Sequence, residues 1–332
     1  MRIGESRGTV IRICSDVNEK LFCLSPRRSK EVTIAAMYAA IVLQLLLMMF
    51  EVFAFSSPQQ VTKPATQPVG PWRLVWSDEF DYNGLPDAKK WDYDVGGQGW
   101  GNNELQFYTA RRKENARVEN GHLFIEARKE SWEGRDYTSA RLVSRGKGDW
   151  TYGRFEVRAK LPSGRGTWPA IWMLPTGWTY GRWPRSGEID IMEHVGFDPD
   201  VIHVSIHTEA YNHTINTQKT AQLKLPGSRT DFNVYAVEWT PEEISGFVND
   251  QLCFTFRNER LASSNEALTK SDERLTTRAD YRQWPFDQPF HLLLNLAVGG
   301  TWGGQQGVDT NIWPQRLEID YVRVYQRGAN SG

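Results

Sequence analysis

The sequence predicts an all-β fold, a sandwich of two antiparallel sheets, and three observations carry that prediction. Apolar and polar residues alternate with period two in several stretches, the stretches are short and punctuated by Gly, Pro, Asn and Asp, and little of the chain reads as helix. From Arg154 to Leu161 every odd position is apolar and every even one charged, the pattern of a strand with one buried and one wet face. Leu123, Ile125 and Ala127 repeat it. Residues 234–239 and 246–256 read as strands, and Asn249-Asp250 supplies the turn within the second stretch. Residues 291–298 form a nearly continuous apolar strand and residues 317–325 a closing one. The one helix-like segment, about residues 258–280, is polar and reads as a surface insertion.

The ends of the chain have a different character. Residues 32–50 are largely apolar, interrupted by Gln44, and follow Arg27, Arg28 and Lys30. A basic flank before an apolar run reads as an export signal or an uncleaved membrane anchor. Val52-Phe53-Ala54 places small residues where cleavage after Ala54 is expected, whereas a start at Met37 would remove the basic flank. The division expected is therefore a leader over 1–54, a linker over 55–70 rich in Pro, Gln, Ser and Thr, a folded domain over 71–327 and a tail over 328–332. This implies a secreted, periplasmic or cell-surface protein, tied to a membrane only if the leader stays on. A monomer is expected.

Of 332 residues, 39 are Lys or Arg and 40 Asp or Glu, a net charge of −1 that gives no sign of a nucleic-acid partner. Cys14 and Cys23 precede the apolar run and leave only Cys253 in the body, so an internal disulfide there is excluded. All 14 Trp lie after residue 70. Indole rings can pack a core or present flat apolar platforms to sugar rings.

The chemistry concentrates in Ser186-Gly187-Glu188-Ile189-Asp190-Ile191-Met192-Glu193-His194. On a regular strand Glu188 and Asp190 share a face and Glu193 falls out of phase. One extra residue at Ile191-Met192, a β-bulge, brings all three acids to one face. Acids so placed repel one another, and without a function the arrangement is costly. Retaining glycosidases need such a group, with one carboxylate as nucleophile and a second carboxyl as acid and then base. Trp168, Trp172, Trp178 and Trp183 lie just upstream.

The segment Glu188 to Glu193 resembles the bulged catalytic signature of glycoside hydrolase family 16. Further likeness lies in Trp76-Ser77-Asp78-Glu79-Phe80, in Asn102-Asn103-Glu104-Leu105-Gln106-Phe107-Tyr108 and in residues 166–175, 294–300 and 320–325. The resemblance implies a concanavalin-like β-jelly roll with a sugar-binding cleft on one sheet, and a retaining endo-β-1,3-glucanase of the bacterial laminarinase kind. It implies Glu188 as nucleophile, Glu193 as acid/base and Asp190 as the assisting acid. Asn103, Arg141, Trp168, Trp172, His207 and Trp302 would line the cleft. No cofactor is expected for catalysis, and a structural Ca²⁺ on the opposite side would sit at Glu79, Gly121 and Asp320, largely on backbone oxygens.

Other readings use the same residues. Glu193, His194, His203 and His207 suggest zinc, but residues 201–207 read as a strand, on which four residues span about 13 Å, too far for two ligands of one ion. The glycine-rich segment 96–101 lacks the spacing and following helix of a phosphate loop, and reads as a loop near the cleft. Within the family, a mixed-linkage β-glucanase, an agarase or carrageenase type of galactan hydrolase and a transglycosylase are alternatives. A non-catalytic carbohydrate-binding protein would need the Trp residues but not the three acids.

Overall fold

A computed structural model describes residues 70–261 and 279–328, so the leader, all but the last residue of the linker, most of the tail and most of the helix-like segment lie outside the described residues. The strands, numbered in chain order, form two sheets. The back sheet runs in the order β16 (Gln251–Arg257), β15 (Glu243–Val248), β14 (Asn233–Trp239), β9 (Gly153–Lys160), β18 (Gln315–Arg327), β5 (His122–Trp132), β6 (Arg135–Ser139) and β3 (Gln106–Tyr108). Beside β18 lies β1 (Trp72–Asp78), and beside β5 lies β4 (Ala116–Glu119). The second sheet runs β13 (Lys219–Lys224), β12 (Val201–His207), β11 (Glu188–Glu193), β10 (Thr167–Pro175), β17 (Phe290–Val298), β7 (Arg141–Val143) and β2 (Asp92–Tyr93). Alongside β17 is β8 (Asp149–Trp150). Among these pairings only β3 with β6 is parallel, and the two-sheet antiparallel sandwich expected from the alternation is the fold found.

Alternation fixes which side chains meet between the sheets. Phe155, Val157 and Ala159 of β9 point inward, and Ile171, Met173 and Ile189 of β10 and β11 face them in one continuous core. Trp91, Trp239 and Trp284 are buried in it. Each large apolar side chain so enclosed stabilises the fold by about 1.5–3 kcal/mol. All nine residues of β17 are buried, as it lies inside its sheet with one face on the core and the other deep in the floor of a concave surface. The β15–β16 hairpin turns on Asn249 and Asp250, both left-handed at φ 49° and 61°, as a two-residue turn between twisted strands requires.

The outer face of the back sheet is a lattice of ion pairs. Glu126, buried on β5, is met by Arg117, Arg128 and Arg316. Glu79 forms a two-pronged pair with Arg323 at 3.0 and 2.8 Å. Asp320 pairs with Arg158 and lies 3.5 Å from His122. At two of the positions expected to border a calcium largely through backbone oxygens, Glu79 and Asp320, the carboxylates are thus paired with cations.

Candidate active site

The second sheet carries a cleft of about 700 Å³ on its outer face. Its floor is made of alternate residues from neighbouring strands: Thr220 and Gln222 of β13, His203, Ser205 and His207 of β12, Trp168, Ala170 and Trp172 of β10, Asn295 and Ala297 of β17, and Arg141 of β7. In its middle lie Glu188, Asp190 and Glu193 of β11.

The bulge expected in β11 is present. Glu188 stands opposite His207, Asp190 opposite Ser205 and Glu193 opposite His203, so two residues of β11, Ile191 and Met192, face the single residue Val204. The same irregularity appears against β10, where Trp172 pairs with Asp190 and Ile171 with Met192. Ile189, Ile191 and Met192 are buried, while the three acids open to the cleft. Parity is restored by one spare residue.

The acids are held in surroundings that favour protons. Burial pushes the Glu188 carboxyl well above the usual range, and Asp190 beside it adds to this. Burial and then Glu193 do the same to Asp190. Glu193 is raised by burial and by the charge of Glu104, against the opposing pull of His207 and an indole hydrogen bond. That bond runs from Trp168 Nε1 to Glu193 Oε1 at 3.0 Å. The contact between the Glu188 and Asp190 carboxyls acts on them in opposite directions, raising Glu188 further and partly offsetting the rise of Asp190. His207 Nε2 stands 3.3 Å from Asp190 and 3.9 Å from Glu188. These three present ligand atoms within 4.8 Å of one another, the only such metal-compatible group among the described residues. The zinc set weighed from the sequence does not assemble: His203 and His207 sit on the same face, two alternations apart along β12.

Six of the 14 Trp line the cleft: Trp100, Trp168, Trp172, Trp178, Trp183 and Trp302. Trp168 and Trp302 meet edge to face with centroids 5.5 Å apart. Gly300 and Gly303 make that contact possible, since a Cβ at either would come within 3.2 or 2.8 Å of the Trp168 side chain, and Gly300 is also left-handed at φ 78°. Trp172 donates to Asn295 Oδ1 at 2.7 Å. Arg141 lies with its guanidinium carbon 4.8 Å from the Trp100 ring and 4.7 Å from the Trp172 ring, and pairs with Asp94 at 3.0 Å. It is therefore both an ion-pair partner and part of the cleft wall.

Of the residues expected to line the cleft, Arg141, Trp168, Trp172, His207 and Trp302 do so, and Asn103 does not. Asn103 occupies a left-handed turn position at φ 54°, a conformation Asn tolerates well, and its neighbours Asn102 and Glu104 face the cleft instead. Glu104 was not foreseen. Its buried carboxylate accepts from Gln106 at 2.6 Å and Tyr108 at 3.2 Å, and Tyr108 in turn accepts from Asn295. The spacing of Glu104, Gln106 and Tyr108 is the one sequence signal that could have placed all three on one face. The glycine-rich loop does border the cleft, through Trp100 and Gly101.

Comparison with known proteins agrees with this geometry. Residues 103–323 match the model of glycosyl hydrolases family 16. A beta-glucanase of Rhodothermus marinus is 65% identical over 257 residues, 77% of this chain and 85% of that protein. The structure of the laminarinase from Rhodothermus marinus superposes with a TM-score of 0.73 at 64% identity, covering 78% of this chain and 99% of the other. SCLam, a non-specific endo-beta-1,3(4)-glucanase, gives 0.69 at 46% identity, over 78% and 93% of the two chains. With its two-sheet sandwich, its bulged run of acids and these likenesses, the chain belongs to glycosyl hydrolase family 16.

Proposed function

We propose that the protein is a retaining endo-β-1,3-glucanase that cuts β-glucan by double displacement in this cleft. The observation that carries the mechanism is the bulge in β11, which sets three acids side by side beneath indole walls. In the first step the Glu188 carboxylate attacks the anomeric carbon. The glycosidic C–O bond breaks, and the departing oxygen takes the proton of Glu193. In the second, Glu193 takes a proton from water, the water oxygen attacks the same carbon, and the bond to Glu188 breaks. Two inversions give retention. Asp190, beside Glu188, would hold a proton while Glu188 is ionised, which spares the site three full negative charges and orients the nucleophile. Trp168 holds Glu193 in place through its indole N–H. The chemistry needs only carboxyls and water.

A bound glucan would stack on Trp168, Trp172 and Trp302, with His207, Arg141 and Asn295 offering hydrogen bonds to hydroxyls. Gln222 and Thr220 give the β13 side a polar character that suits the same role. The cleft lining carries one Arg and no Lys, which suits a neutral polymer better than a sulfated galactan. The apolar leader supports export, with cleavage after Ala54; the mass of the mature protein checks this. A structural calcium opposite the cleft would rest on backbone oxygens near Glu79, Gly121 and Asp320, and thermal unfolding with and without a chelator checks it.

The deciding experiment is reducing-sugar release from laminarin, lichenan, agarose and carrageenan side by side. Release from laminarin, abolished by Glu188→Gln and by Glu193→Gln, is the expected result. Activity confined to a galactan would overturn the substrate but keep the mechanism. Silence on all four, with laminarin still retarding the protein in a gel, would favour a binding protein.

A further inference from the structure

The short strand β3 separates two concavities of similar size. Gln106 and Tyr108 turn toward Glu104 and the cleft, whereas Phe107, between them, points to the other side, as strand alternation demands. There it joins a second hollow of about 690 Å³. This hollow is an open groove whose walls include Val95, Phe107, Arg112, Lys113, Trp132 and Glu133.

The groove combines an exposed ring with fixed polar groups. Trp132 keeps 38% of its surface exposed and Val95 51%. The Arg112 guanidinium lies 4.8 Å from the Trp132 ring and is itself anchored at 2.6 Å to Glu130, so ring and donor are already oriented. Three cations, Arg111, Arg112 and Lys113, stand against two acids, Glu114 and Glu133. That near balance, with donors and acceptors around an apolar platform, suits a neutral polyhydroxyl chain: its C–H face packs on the ring and its hydroxyls reach charged groups of both signs. A sulfated or acidic polymer would leave Glu114 and Glu133 facing like charge.

We propose that this groove is a second binding site for β-glucan, one that holds a part of the polymer not being cut. The proposal rests on the glucanase reading of the cleft. It takes no part in the bond-breaking step; it raises the local supply of polymer to a cleft on the other side of one strand.

The test compares substrates of different length on the full-length protein. Trp132→Ala should leave hydrolysis of a short β-1,3-gluco-oligosaccharide unchanged and lower the rate on insoluble β-1,3-glucan severalfold. In the non-cleaving Glu188→Gln background, Trp132→Ala should weaken binding to the insoluble glucan severalfold, and Trp132→Phe should restore most of it. Undiminished polymer binding by Trp132→Ala would overturn the proposal. So would equal loss on oligosaccharide and polymer, or a groove-dependent affinity seen only with a sulfated glucan. If the wild type fails to cut any β-1,3-gluco-oligosaccharide, the glucanase reading falls separately, and the binding comparison still decides the groove.

Discussion

The two outer faces of the sandwich carry acids in opposite ways. On the back sheet they are matched to cations: Glu126 has three arginines, Glu79 has Arg323, and Glu318 has Lys160 at 2.6 Å. On the cleft sheet Glu188, Asp190 and Glu193 lie together with no Lys or Arg paired to them among the described residues, and His207 is their basic neighbour. The consequence is visible in their proton affinities. Arg323 and its hydrogen bonds hold Glu79 below the ordinary carboxylate value, whereas burial and mutual repulsion lift the cleft acids above it. One face uses its acids for stability and the other gives up stability for a poised proton.

The contrast breaks first at catalysis. Glu188→Gln should lower turnover on β-1,3-glucan by about 10⁴-fold or more, and Glu193→Gln by about 10²- to 10⁴-fold, with glucan binding kept in both. Loss of binding in step with turnover would remove these acids from their roles. Stability comes next. Glu126→Ala takes from three arginines their shared acid and, with Arg128 and Arg316 well exposed and Arg117 still paired to Glu119, should cost about 1–2 kcal/mol, read from urea unfolding. A cost near zero would mean that the lattice is decorative.

Asp190→Asn should act with the opposite sign. A carboxyl raised on folding contributes stability in full below its unfolded value, about pH 4, and that stability is lost as pH rises toward the folded value. Asn cannot ionise, so the variant should be more stable than wild type at pH 7, by about 1 kcal/mol, and no more stable at pH 4. Thermal unfolding at the two pH values reads this out, and an unchanged or lower midpoint at pH 7 would contradict it. The smallest effect belongs to Arg323→Ala. Glu79 is depressed on folding, so its stability is present above about pH 4.3 and lost as pH falls through the folded value. Because the pair is only part-buried and open to solvent, the loss at pH 7 should stay under about 1 kcal/mol.

The sequence made β9 and β18 readable because each states its buried face by period two, β17 because its apolar run is nearly unbroken, and the Asn249-Asp250 turn names itself through residues that accept positive φ. Even the bulge was legible, since Glu193 has the wrong parity without it. What alternation could not supply was which loop meets which strand. Glu104 reaches the cleft because its segment bridges to Gly299, almost two hundred residues away, and no local pattern encodes that pairing. A turn, rather than a strand, orients Asn103, so its neighbours Asn102 and Glu104 line the cleft. Trp100, Trp178 and Trp183 sit on loops, where ring orientation follows from tertiary packing alone.

The division of the tryptophans has an optical consequence. Trp91, Trp239 and Trp284 are sealed in the core and should emit at short wavelength whatever occupies the cleft. The six cleft indoles border water when it is empty and a sugar chain when it is filled. Emission should therefore split into a fixed component and one that moves to the blue with glucan. Titrating the non-cleaving Glu188→Gln protein with oligosaccharides of increasing length would then count, ring by ring, how far along the cleft the polymer is gripped.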